Sequence, residues 1–593
     1  MKYKSIALLE SIIKWIQLRL TKKQFILLSS ILIGFTVGLA AITLKTFVHY
    51  IFITVTYKEF NSFNYLVLFL PLTGIFLTVL AVKKILKGKP YKGLSQIHYA
   101  IAKRSSNVPK DQMYAQIVTS SLTVGFGGSA GLEAPIIITG AAFGANYSKT
   151  YHLTYKERTL LLACGIAAGI AAVFNAPIAG VLFALEVLLI DISITAFTPL
   201  IIAAATGALI SKIILEDDIL LSFRLQQPFN YNNVPFYILL GLAAGIVSVY
   251  HSRVFNKIEE LFSKSANKIY FNVMVGGAIL AVLIFIFPSL FGEGYQSIKT
   301  LSTLQPEILL DNSLFQNYKS NEWFVLAFIG VLIFIKAIAT AITLGSGGNG
   351  GNFAPALFVG SYLGFFMSRG LNMLSLTNLP VSNFTIVGMA GILSGLYHAP
   401  LTAIFLIAEI TGGYTLMIPL MIVSSISYAI SKHFEPFSMD TKKLIQSGKV
   451  YTSDKDLNIL ATIKTSNLIE TNFQKISPDD KLGKIVEIIS KSRRNIFPVT
   501  DSDNKLLGII VLDNIREIIF KRDLYDKIIA HELITNSPAT ILSSETMEEV
   551  MKKFEETGAW NLPVVENEKY LGFISKSSIF SSYRNKLKAT SIG

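Results

Sequence analysis

Long apolar runs at 25–55, 64–82, 158–190, 235–250, 270–290, 322–344 and 383–430 alternate with short polar connections, and after Lys432 such runs stop. Several are long enough to cross a hydrocarbon core of about 30 Å as helices, so the pattern predicts an all-α polytopic membrane region. From about Asn458 the pattern changes to short alternating strands and amphipathic helices, which predicts a small α/β module outside the bilayer. Ahead of the first run, Ile6, Leu9, Ile12, Ile13, Ile16 and Leu20 share one helical face, while Lys2, Lys4, Lys14, Arg19, Lys22 and Lys23 face a single acid, Glu10. Residues 1–23 therefore read as an uncleaved amphipathic helix at the cytoplasmic face of the membrane. A secretory signal is the rival reading, but no small-residue cleavage site follows a short apolar core there.

Composition sharpens this picture. With 593 residues, 51% hydrophobic and 16% charged, the chain is too long for one domain and too apolar for an ordinary soluble one. The net charge of +14 comes without a nucleic-acid recognition motif, and its basic residues sit in the N-terminal arm and the C-terminal third. Positive-inside asymmetry accounts for it, and no nucleic-acid partner is expected. The single cysteine, Cys164, lies inside an apolar run, and the seven histidines form no ligand spacing, so neither a disulfide framework nor a metal site is expected.

The membrane region contains an internal repeat. Shifted by 220 residues, GFGGSAGLEAP at 125–135 meets GSGGNGGNFAP at 345–355, pairing Gly125/Gly345, Gly127/Gly347, Gly128/Gly348, Gly131/Gly351, Ala134/Ala354 and Pro135/Pro355. Shifted by 223, GIAAGIAAVFNAP at 165–177 meets GMAGILSGLYHAP at 388–400, and Glu186 meets Glu409. Two membrane halves follow, 24–218 and 232–450, with the repeat in the second reaching about 435. Gly and Pro interrupting apolar segments at matching places point to a transporter whose broken helices meet near the midplane. Glycines that merely permit close helix packing are the alternative, but two matched clusters, each ending in Ala-Pro, argue against it.

Each cluster reads as a flexible loop feeding a helix whose first turn holds a proline, where the missing N–H costs nothing. Such helix N-termini offer free N–H groups and the positive end of the peptide dipole, binding an anion without a fixed cation. Partial charges hold an ion loosely enough to release it, which suits transport, and chloride is the natural ion. Glu133 sits within the first loop, where the same donors favour its carboxylate. It can compete with the ion, and protonation would free the site, linking anion passage to proton binding. A glutamate in a fixed salt bridge is the alternative.

These residues resemble the CLC family of chloride channels and transporters. GLEAP at 131–135 resembles its G-K/R-E-G-P motif, GGNFAP at 350–355 its G-x-F-x-P motif, and FNAP at 174–177 followed by LFALE is similar too. The resemblance implies an inverted-repeat membrane domain with broken helices, a homodimer with one anion pathway per subunit, and cytoplasmic termini in the cell membrane. It implies that Glu133 is the gate, that amides of Asn352 and Phe353 hold the central anion, and that those of Gly131, Leu132 and Glu133 hold the outer one. The chain also departs from the family. YKGLSQI at 91–97 puts Lys92 in place of a serine ligand, SMDTKKL at 438–444 puts Asp440 in place of a tyrosine ligand, and Val187 stands where proton-coupled members commonly carry a second glutamate. Both ligand hydroxyls are thus gone. A Lys92–Asp440 ion pair at the inner mouth is expected, with two hydrated side chains as the alternative.

In the soluble region IFPVTDSDNKLLGIIVLDNI at 496–515 parallels LPVVENEKYLGFISKSSI at 562–579, Pro498 and Gly508 matching Pro563 and Gly572. This resembles a cytoplasmic pair of CBS repeats, 458–520 and 530–587, a module that often binds adenine nucleotides. The aspartate used for ribose is missing from both repeats, which offer Val511 with Asn514 and Ser575 with Ser578. A structural module and a nucleotide sensor both remain open. The expected function is chloride transport without a cofactor; Val187 tilts it toward a passive channel, with a chloride/proton antiporter as the alternative. A membrane-embedded sensor or enzyme is the remote alternative, since the chain has no metal-ligand motif, nucleophile elbow or P-loop.

Overall fold

The computed structural model of the protein describes residues 19–56, 68–85, 92–187, 197–215, 227–442, 444, 460, 463 and 465–592. Residues 1–18, and with them most of the expected interfacial helix, lie outside the described residues, as do Tyr91 and residues 458 and 459. The chain divides into two compact units, Met1–Val450 and Tyr451–Gly593.

The first unit is helical. Its first half holds α1 (Lys22–Thr56), α2 (Leu70–Ile85), α3 (Ser95–Lys103), α4 (Gln112–Gly125), α5 (Glu133–Thr150), α6 (Tyr155–Phe174), α7 (Pro177–Glu186) and α8 (Phe197–Leu215). The second holds α9 (Val234–Lys264), α10 (Ile269–Ile286), α11 (Tyr295–Ser302), α12 (Glu322–Gly345), α13 (Phe353–Met373), α14 (Val381–Tyr397), α15 (Pro400–Ile410) and α16 (Met417–Phe434). Among the described residues six helical stretches are long and apolar enough to cross a membrane: α1, α6, α8, α10, α12, and α9 with the turn before it. The helices α7, α14 and α15 are apolar but shorter. Large apolar side chains on their outer faces, such as Phe35, Phe47, Leu209, Ile213 and Ile246, are exposed, as lipid contact permits.

Packing repeats between the halves. In the first half α5 packs on α6, α1 on α8, α6 on α8 and α1 on α6; in the second α13 packs on α14, α9 on α16, α14 on α16 and α9 on α14. The closest crossings have no room for side chains. A Cβ on Gly140 or Gly165 would strike the other's carbonyl, and Gly360 and Gly388 stand in the same relation. Small residues let backbones touch where lipid supplies no hydrophobic drive between helices. The chain breaks also repeat. The helix α6 ends at Asn175 (φ 53) and α14 at His398 (φ 55), both in the left-handed conformation, and Pro177 and Pro400 then open α7 and α15 as first-turn prolines.

Those two short helices bind each other end to end. The Glu186 carboxylate, at the close of α7, accepts from Leu401 N (3.1 Å), Thr402 N (2.8 Å) and Thr402 Oγ1 (2.8 Å) at the start of α15. Glu409 on α15 in turn accepts from Ile178 N (3.0 Å) and Ala179 N (2.8 Å) at the start of α7. Each carboxylate satisfies amides that the opposite helix cannot, and meets the positive end of its dipole. Equivalent helices therefore run in opposite directions, as an inverted repeat requires.

The second unit is α/β. Strands β1 (Ile496–Thr500) and β2 (Leu506–Val511) pair antiparallel, with Phe497 opposite Ile510. Strand β3 (Ile541–Leu542) lies parallel to β4 (Asn561–Glu566), which pairs antiparallel with β5 (Lys569–Ser575). Each repeat has its own apolar core, around Phe497 and Ile510 in one and Phe554 and Ile574 in the other. Phe473, Ile509, Tyr570 and Phe573 form a third cluster drawn from both repeats.

Candidate functional site

The two glycine-rich loops meet. Gly131 N–H donates to the Gly351 carbonyl and Gly351 N–H to the Gly131 carbonyl, both at 2.8 Å. This antiparallel bridge joins equivalent residues of the two repeats, so a local two-fold axis passes between them. The turns that lead here need glycine at Gly127 (φ +88) and Gly347 (φ +127), where a side chain would be strained. Each is followed by a closing bond, Gly128 N to Thr123 O (2.9 Å) and Gly348 N to Thr343 O (3.0 Å). The loops thereby aim the N-termini of α5 and α13 at one another.

Glu133 is the first residue of α5 and is fully buried. Its Oε2 accepts from Ala354 N at 3.4 Å, at the start of α13. Its Oε1 accepts a hydrogen bond from the Tyr295 hydroxyl. The carboxylate thus lies on the helix terminus that would otherwise face an anion. Leu132, Asn352 and Phe353 are buried beside it. The Asn352 side chain is engaged elsewhere, its Oδ1 3.0 Å from His251 Nε2 and its Nδ2 3.4 Å from Met439 Sδ. The Phe353 ring packs against Phe174 (5.6 Å), Phe183 (6.1 Å) and Tyr397 (5.6 Å). Gly131, Leu132, Glu133, Asn352 and Phe353, singled out from sequence, are all brought together here.

The Lys92–Asp440 ion pair is not made. Lys92 Nζ instead donates to the Leu344 carbonyl (3.4 Å), in the last turn of α12, where the negative end of the helix dipole draws a cation. Asp440 Oδ2 is buried and has no hydrogen-bond partner. Val187 is buried, and its N–H continues the helix to the Phe183 carbonyl (3.0 Å).

Several residues that sequence reasoning passed over belong to the site. Tyr295 opens α11 after Gly294 (φ 94) and its hydroxyl bonds Glu133, and the ring of Tyr397 at the end of α14 packs on Phe353. Lys336 on α12 is fully buried, its Nζ donating to Ser129 Oγ (2.8 Å) and the Gly292 carbonyl (3.3 Å) and lying 4.9 Å from the centre of the Phe358 ring. It ties the first glycine loop to the segment carrying Tyr295. Glu293 lies beside it with Oε1 buried and unbonded. The acid and aromatic inside GEGY at 292–295, between apolar runs, were the available signal. In the second unit Asn514 reaches Thr535 Oγ1 (3.4 Å), Ser575 Oγ donates to Glu470 Oε1 (2.7 Å), and Ser578 Oγ donates to the Ser575 carbonyl (2.9 Å).

Comparison with known proteins identifies the family. The voltage gated chloride channel family matches residues 74–432, and the CBS domain matches 466–521 and 530–585. A ClcB-like protein of Ralstonia nicotianae is 28% identical over 61% of this chain and 81% of its own length. The voltage-gated ClC-type chloride channel ClcB of Escherichia coli is 28% identical over 53% of this chain and 71% of its own. Among solved structures, a slow cyanobacterial Cl-/H+ antiporter superposes with a TM-score of 0.60 at 22% identity, covering 72% of this chain and 98% of its own. A eukaryotic CLC transporter does so with a TM-score of 0.60 at 18% identity, covering 93% and 97%. The chain is therefore a polytopic membrane protein of the voltage gated chloride channel (CLC) family, an anion transport family, and it carries a C-terminal pair of CBS domains.

Proposed function

We propose that the protein moves chloride across the cell membrane through a pathway gated by Glu133. The observation that carries this is the Glu133 carboxylate lying against the Ala354 amide at the N-terminus of α13, where an anion would be held. An ionised carboxylate there excludes chloride, because both compete for the same donors. A proton removes the charge, weakens the attraction to those donors and lets the side chain leave, so flux rises as pH falls. Chloride then rests on partial charges that release it readily.

The protein acts as a homodimer with one pathway per subunit and with both termini cytoplasmic. The family resemblance supports the dimer, and the basic N-terminal arm supports the orientation. Val187 takes no proton, which favours passive conduction; coupled exchange needs another inner group. The test is chloride efflux from liposomes holding the purified protein. Wild type should release chloride faster as pH falls, and Glu133→Ala should release it rapidly at every pH. Absence of chloride flux from both proteins overturns the reading.

A further inference from the structure

The two helices that lead into the glycine loops each hold the loop of the other half. Lys336 on α12 donates to Ser129 Oγ (2.8 Å) in the first loop, and Asn349 Nδ2 in the second loop donates to Gln116 Oε1 (2.9 Å) on α4. Under the 220-residue shift Gln116 matches Lys336 and Ser129 matches Asn349, so one tie is made twice. All four side chains are buried. The copy on α4 shows that the tie needs no charge, whereas the copy on α12 places a full cation inside the membrane region, where burying it is costly. The loop it holds, 125–135, contains one charged side chain, Glu133.

The cation also stands close to the gate. Lys336 Nζ donates to the Gly292 carbonyl (3.3 Å), and Gly292 N–H donates to the Gly127 carbonyl (3.0 Å), which clamps the turn at 292–295 onto the first loop. Glu293 in that turn lies within electrostatic reach of Lys336, of Lys45 on α1 and of Glu133. Lys45, which donates to the Val173 carbonyl (2.6 Å), reaches Glu133 as well. Among the described residues, two cations and two acids thus lie together. When Glu133 takes a proton or moves away, one positive charge is in excess, and an anion restores the balance.

We propose that Lys336 and Glu293 set the chloride affinity of the site at Glu133, Lys336 strengthening it and Glu293 weakening it, each acting through its charge rather than by contact. The inference rests on Glu133 gating chloride flux. A cation whose hydrogen bonds go to Ser129 and Gly292 draws the ion in while the loop amides alone touch it, so release stays rapid.

The test is the initial rate of radiolabelled chloride uptake into liposomes as chloride is varied against gluconate at constant ionic strength, in wild type and in Glu133→Ala. In both backgrounds Lys336→Gln, which copies the residue on α4, should raise the half-saturating chloride concentration by about fivefold or more and leave the maximal rate within about twofold. Lys336→Arg should keep the original value, and Glu293→Gln should lower it by about threefold or more. A tie that only holds the loop would not produce opposite shifts from the two neutralised residues. Should Lys336→Gln fail to fold, the Glu293→Gln shift decides alone. With chloride flux present, an unchanged half-saturation in either neutral variant, or shifts in the same direction, overturns the proposal and leaves Glu133 gating intact. Chloride flux absent from wild type and Glu133→Ala alike overturns the gate as well.

Discussion

The loops at 125–135 and 345–355 share a backbone and differ in what they carry. Both turn at a positive-φ glycine, both bond back to a threonine carbonyl, and both end on a helix with proline in its first turn. At the equivalent first helical position one has Glu133 and the other Phe353. The shared backbone builds two facing sets of amides, and the difference makes the site switchable, since a carboxylate can fill it and a phenyl ring can only wall it. Duplication thus supplied the two facing helix N-termini, and one unequal residue supplied the carboxylate on which the proposed gating rests.

The strongest way to probe the shared part is to spoil it in each half. Gly165→Val and Gly388→Val should both abolish monodisperse folded protein on gel filtration, because each drives a side chain into the opposing helix backbone. A half that tolerated valine would break the equivalence. Next comes the unequal position. Glu133→Ala should raise chloride efflux at neutral pH by tenfold or more and flatten its pH dependence, while Phe353→Ala, which leaves the carboxylate in place, should keep that dependence.

Smaller effects sharpen the comparison. Tyr295→Phe removes a donor to Glu133 that nothing in the sequence places at the second loop. A hydrogen bond to a charged group is worth about 1.5–3 kcal/mol, so flux at neutral pH should rise by roughly tenfold or more, with the pH dependence retained. An unchanged rate would remove Tyr295 from the gate. Smallest is the difference between the exchanged caps. Glu186→Ala should lower the thermal unfolding midpoint more than Glu409→Ala does, since it loses three hydrogen bonds rather than two. Thr402→Val in wild type removes only the third of those bonds and should by itself cost about 1.5–3 kcal/mol, accounting for that gap.

The membrane halves and the site at Glu133 were legible because duplication writes one local geometry twice, Gly and Pro mark it each time, and a lone acid marks the first copy. Gly131, Glu133 and Phe353 are adjacent in sequence to what positions them. Tyr295 and Tyr397 are not. They reach the site from α11 and α14, without a spacing that ties them to residue 133. The ion pair between Lys92 and Asp440 failed for a related reason. Opposite charges predict attraction only between groups that meet, and the α12 carbonyls lie nearer to Lys92.

The exchanged caps of α7 and α15 bear on how the protein is made. The amides of Ile178 and Ala179 take their acceptor from Glu409, 230–231 residues later in the chain. At roughly 5–20 residues per second of synthesis, the first half waits about 10–50 s in the bilayer before that acceptor exists. During that interval the open end of α7 lies in or near lipid with two donors unsatisfied. Loss of Glu409 would make that transient state permanent, so the variant chain should be captured by quality control more often than wild type.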